Sequence, residues 1–246
     1  MKSKCKNCDS ILHGEFCSFC GQRQHQKISF REISKDFFDD IFDYDARLFN
    51  SIKYLILKPG FLTLKYWEGK RVKYLQPFKV YLMTSLLYYL VNSIFQTEQK
   101  SIISLSQFPL FKTHKNKFMD IEIFLSSYSQ EIELLLFTPI TGLVLMLLYK
   151  KTNHAFLHHM IASVHLSSFI FLSLSIILIL KSLLSGFSNY ISILNLIIPF
   201  YAILMLSYVY KESIILSFFK CLLIFFTVIL RNLLFYIFGF FYLTFN

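Results

Sequence analysis

The sequence predicts an all-α polytopic membrane protein of about five transmembrane helices, with an N-terminal four-cysteine zinc ribbon and an amphipathic interfacial helix. Three observations predict it. Hydrophobic residues make up 55% of the 246 positions and charged residues only 16%, which is a membrane composition. Two C-x-x-C pairs crowd the first twenty residues. Between them and the apolar remainder lies a basic, aromatic stretch at 58–79.

Residues 1–25 form the head. Cys5-Lys-Asn-Cys8 and Cys17-Ser-Phe-Cys20 stand eight residues apart. Each C-x-x-C makes a tight turn that points two thiolates at one ion, and two such turns complete a tetrahedral site. Paired cysteines of this kind read as metal ligands and so as a reducing compartment. A redox dithiol would need a βαβ context that the flanking sequence lacks. Gly21, directly after the second pair, suits a positive backbone φ. Four thiolates close the shell, so the expected Zn2+ is structural, and a fragment this small is folded by its metal. His13, in the spacer, is left as a surface residue.

Residues 26–76 form an amphipathic helix and a basic neck. From 28 to 57, Phe30, Ile33, Phe37, Ile41, Leu48, Ile52 and Leu55 recur at helical spacing. Ser29 with Glu32 three residues on is a capping-box pattern. The helix must stop near Leu57, because Pro59 disfavours a helical Lys58 and Gly60 follows. Asp39 and Asp43, one turn apart, belong to the solvated face of a helix lying in the membrane plane. In the neck, Lys58, Lys65, Lys70, Arg71, Lys73 and Lys79 alternate with Phe61, Tyr66, Trp67, Tyr74 and Phe78. Cations neutralise anionic headgroups and amphipathic rings sit at headgroup depth, so the expected partner is an anionic lipid bilayer. The first 80 residues hold 15 bases against 9 acids, a net +6 set beside the first apolar run. That position favours a membrane surface and disfavours nucleic acid.

Residues 77–246 form the transmembrane bundle. Five apolar segments run at about 78–95, 134–149, 155–180, 190–210 and 214–245, each near the ~20 residues that cross hydrocarbon. A long polar region at 96–131 separates the first two, and the other connections are short, which favours antiparallel neighbours. The positive-inside rule puts the neck, the Lys150-Lys151 turn and Lys211 in the cytoplasm, with 96–131 outside. Reduced thiols require the same side for the N-terminus. The last segment holds Lys220 and Arg231, and either crosses once or forms a re-entrant pair. No apolar core follows the opening Met-Lys-Ser-Lys, so no cleavable signal peptide is expected.

Ionisable groups at membrane depth are the candidates for chemistry. His154, His158, His159 and His165 open the third span, and His154 and His158 have the i, i+4 spacing of a metal pair. They are candidates for a metal, haem or proton site, against interfacial histidines with one hydrogen-bonded inside the bundle. Arg231 is expected at the level where Glu131 and Glu133 open the second span, so an Arg231–Glu133 pair is expected. The chain has no P-loop, dinucleotide fingerprint, nucleophile elbow or H-E-x-x-H, which argues against a familiar enzyme.

Cys5, Cys8, Cys17, Cys20, Gly21 and Gln22, then Lys58-Pro59-Gly60, then Tyr66, Gly69, Lys70, Arg71, Tyr74 and Pro77, form a specific series. With His159 and His165, they make the chain resemble a domain-of-unknown-function family of zinc-ribbon-headed, multi-pass bacterial inner-membrane proteins. Ser167 stands where the family's last histidine would be. The resemblance implies a ribbon, a multi-pass topology and a bacterial inner-membrane location with the N-terminus cytoplasmic; it supplies no activity. The expected function is a non-enzymatic scaffold, adaptor or regulator whose ribbon docks a cytoplasmic protein. Two alternatives stand beside it. One is a transporter or lipid-handling protein with Arg231 and His165 lining a cavity. The other is a metal- or haem-dependent enzyme built on the third-span histidines.

Overall fold

The computed structural model describes residues 4–23, 46–95 and 137–245. The predicted helix over 28–45, the 96–131 loop, Glu131, Glu133 and the side chain of Arg231 lie outside what is described. Among the described residues the fold is helical, with no strands. The head closes through two isolated antiparallel bridges, Lys4 with Ile11 and Phe16 with Arg23.

Helix α1 runs Ala46–Leu57 and stops where Pro59 and Gly60 were expected to stop it. A short α2, Phe61–Trp67, starts directly after Gly60. Helix α3 is Pro77–Phe95, with proline at its first position, where a missing N–H costs nothing. Helix α4 is Phe137–Leu148 and α5 is Phe156–Leu183. Short helical turns from Ser185 lead into α6, Ile197–Tyr210. Helix α7, Ile214–Phe245, is one unbroken helix of 32 residues, so this segment does not fold back as a re-entrant pair. At 1.5 Å per residue it is ~48 Å long, well beyond the hydrocarbon thickness.

Three of these elements are long and apolar enough to cross a membrane: Pro77–Phe95, Phe156–Leu183 and Ser185–Tyr210. Helix α3 shows how such a helix meets lipid. Leu82, Leu86, Leu90 and Ile94, four residues apart, form one exposed apolar stripe, whereas Val80, Thr84, Tyr88 and Val91 face inward. The outward face is greasier than the inward one, as hydrocarbon solvent demands and water does not.

Helix α5 is the central element and the most deeply buried of the three. Helix α3 packs along it, with Tyr81, Tyr88 and Tyr89 around Phe171. Against α4 the contact is close and polar. A Cβ on Gly142 would come within 2.9 Å of the Met160 sulfur, and the Ser163 hydroxyl donates to the Thr138 carbonyl. Ser167 lies 3.1 Å from the Thr138 hydroxyl, so the serine in the expected histidine's place ties two helices together.

Candidate metal centre and the neck it docks on

The head is a duplicated turn with a period of twelve residues. Cys5 N–H donates to Ser10 O at 2.9 Å as Cys17 N–H donates to Gln22 O at 3.0 Å. Asp9 N–H donates to Cys5 O as Gly21 N–H donates to Cys17 O. Asp9 and Gly21, each just after a C-x-x-C, have φ of 61° and 71°, so the positive φ expected at Gly21 is present and is repeated at Asp9. The two turns face each other and bring four sulfurs within 4.8 Å of one another. Cys5 and Cys20 stand 3.6 Å apart, as do Cys8 and Cys17.

That spacing fits an ion. A metal–sulfur bond of 2.3 Å in a tetrahedron separates the sulfurs by about 3.8 Å. The surroundings favour thiolate at Cys17 and Cys5 and disfavour it at Cys20. A hydrogen bond with the Ser10 hydroxyl, 3.0 Å away, and backbone N–H groups bring Cys17 down to about 6. Burial would raise Cys5, but the backbone N–H groups of Asn7 and Cys8, together with hydrogen bonds to the Cys20 and Cys8 side chains, outweigh it and lower the thiol. Burial pushes Cys20 up to about 11, with its thiol neighbours adding to the shift. The four thiols are therefore unequal, with hydrogen bonds lowering Cys17 and burial raising Cys20. The four cysteines can hold a metal ion, and among the described residues they are the place where three or more metal-binding side chains converge.

Gln22 joins this head to the neck. Its Nε2 donates to Gly69 O at 2.5 Å and its Oε1 accepts from Arg71 N–H at 3.3 Å, so one amide makes both bonds. Lys6 covers the same spot, its Cδ 3.2 Å from where a Cβ on Gly69 would stand. Lys70 is ion-paired with Glu68 at 3.8 Å, and the Arg71 guanidinium lies 5.3 Å over the Tyr66 ring. The two basic residues singled out in the sequence thus flank the junction.

The neck is itself packed on the bundle. Thr63 and His165 Nδ1 share a buried 3.0 Å hydrogen bond. Trp67 Nε1 donates to His158 O at 3.2 Å, and its ring lies 4.5 Å from His154. Burial holds His154 below the ordinary imidazole range. Tyr201 donates to Leu55 O at 2.5 Å, and Leu75 N–H donates to the Ser51 hydroxyl at 2.9 Å. The structure therefore keeps His154, His158 and His159 near one another, with the His154 ring 6.3 Å from that of His159, and sets His165 apart. His154 and His158 rings stand 5.2 Å apart against Trp67, His165 faces Thr63, and His159 Nδ1 lies 2.7 Å from the Tyr210 hydroxyl.

Tyr210 stacks on Tyr149 at 3.4 Å between ring centres, and Tyr149 donates to Glu212. Ser217 donates to the same carboxylate at 2.9 Å. Lys220 pairs with it at 2.5 Å and places its ammonium 3.6 Å from the Tyr149 ring. This network bolts the ends of α4, α5, α6 and α7 together. Gln22, Thr63, Tyr210 and Glu212 have no sequence signature for these roles; only Gln22 stood in a motif, the C-G-Q run.

A polytopic helical bundle with a cysteine metal head on a basic neck defines a class of integral membrane protein. A family model described as a protein of unknown function (DUF3667) matches residues 45–89, which cover α1, α2, the neck and most of α3. No curated protein and no solved structure matches. The match and the three membrane-length helices fit an integral membrane protein whose activity the comparisons leave open.

Proposed function

We propose that this chain is a membrane scaffold or adaptor whose head, closed by a structural Zn2+, presents a docking tip to a cytoplasmic protein. The observation that carries this reading is the pairing of a fixed base with a bare apolar tip. Gln22 and Lys6 hold one side of the head on the neck, while Phe19 stands 82% exposed, with Ile11 also exposed and Phe16 exposed beside the Arg23 guanidinium. A domain without a core of its own does not keep three large apolar side chains in water without a use for them. Four thiolates leave no open position for substrate, so the ion builds shape rather than chemistry. Zinc is the ion that a four-sulfur tetrahedron favours.

The chain crosses the membrane five times, with α4 and α7 completing the set of three long helices, in a bacterial inner membrane. The basic neck, Lys150, Lys151 and Lys211 face the cytoplasm with the head. Proximity labelling in cells from the head of the full-length chain tests the reading. Wild type is expected to label a defined protein set that Phe16→Ser/Phe19→Ser loses while membrane insertion and zinc content persist. An unchanged set in that variant would overturn the adaptor role.

A further inference from the structure

An open groove of 730 Å3 lies where the neck meets the end of α6, away from the head and the histidines. Its lining divides by chemistry. Lys58 and Lys211 both line it, and Leu64, Leu204 and Ile214 supply apolar wall, with Tyr208 beside them. Leu204 lies seven residues before Lys211 in helical order, ~10 Å deeper along the axis. The wall therefore runs from Ile214, which opens α7 beside Lys211, to Leu204 further into the span, with Leu64 of α2 facing the groove.

The two lysines differ from those around them. Lys65 and Lys70 are paired with Glu68 and Lys220 with Glu212, but among the described residues neither Lys58 nor Lys211 has a carboxylate partner. Lys58 lies 5.5 Å from the Tyr54 ring and 5.4 Å from the Phe61 ring, which steady the ammonium without neutralising it. Close packing of the Lys58-Pro59-Gly60 turn against α6 builds the place, since a Cβ on Gly60 would lie 2.6 Å from Val209 Cγ2 and 3.1 Å from Met205 O.

We propose that this groove is a site for a single anionic phospholipid, its phosphate between Lys58 and Lys211 and an acyl chain along Leu64, Leu204 and Ile214. The volume is that of ordinary ligand sites, and unpaired cations above an apolar wall match one molecule that is anionic at one end and hydrocarbon at the other. The site needs only that α6 spans the bilayer, and stands whether or not the head docks a protein.

Native mass spectrometry of the full-length chain in detergent, titrated with phosphatidylglycerol, tests it. Wild type is expected to hold one such lipid, at least tenfold more tightly than phosphatidylcholine. Lys58→Ala/Lys211→Ala is expected to weaken it about tenfold or more, while Lys58→Arg/Lys211→Arg and the neck variant Lys53→Ala/Lys73→Ala retain it. Leu204→Trp fills the groove with both charges kept, and is expected to lose the lipid; it decides the matter if the double alanine variant does not fold. Equal binding of the two lipids, retention in Leu204→Trp, equal loss in the Lys53/Lys73 variant, or displacement of the lipid by millimolar inorganic phosphate would each overturn the proposal.

Discussion

The Thr63 hydroxyl and His165 Nδ1 lie 3.0 Å apart in the buried centre of the molecule, although 102 positions separate them in the chain. The contact fastens the neck to the central helix. Thr63→Val removes the partner and leaves a buried imidazole nitrogen unpaired, a loss of roughly 1–3 kcal/mol. Thr63→Val/His165→Leu is expected to recover part of that loss, because both polar groups then disappear together. Thermal unfolding of the four proteins in one detergent measures the coupling, and strict additivity would remove the hydrogen bond's role.

Gly60 has φ of 78° and no room for a side chain, with Val209 and Met205 O in the way. Gly60→Ala therefore combines a left-handed alanine with a clash against Val209 Cγ2 and a tight approach to Met205 O. A cost of roughly 2–4 kcal/mol is expected. Gly69→Ala, with φ of 87° but only the flexible Lys6 side chain nearby, should cost about 1–2 kcal/mol. Melting temperatures in this order support the close approach of neck and α6; the reverse order does not.

Removing the metal should loosen the neck as well as the head, because Gln22 lies two residues beyond Cys20. Hydrogen exchange on full-length protein is expected to speed at Arg71 after chelation, and equally in Gln22→Leu with metal bound. Exchange unchanged at Arg71 in both would separate the two units.

Lys220 and Glu212 are largely shielded, at 16% and 11% side-chain exposure, and share Tyr149. Lys220→Met leaves the carboxylate without its cation, for a loss of roughly 2–4 kcal/mol. Lys220→Met/Glu212→Gln should be closer to wild type. Chemical unfolding that ranks the double variant below the single one would show that the pair does not stabilise the bundle.

The cysteine pairs, the stop at Leu57 and three of the five membrane segments were legible in the chain because each rests on neighbours in sequence. A turn needs its two thiols three apart, a helix ends at its own proline, and a span needs only length and hydrocarbon. The chain's order also put Lys70 and Arg71 beside the aromatic rings of the neck. Contacts between distant positions were a different matter. Lys220 stood within the last apolar segment with no partner named for it, and the turn after α6 brings Glu212 to it. The spacing of His154 and His158 made them candidates for a shared ion or for interfacial histidines, but nothing in it pointed to Trp67 of the neck, which lies against both rings. Gln22 gave no hint of Gly69, nor Thr63 of His165. Periodicity records which face of a helix avoids water, but the partner on that face is chosen by packing among segments far apart in the chain.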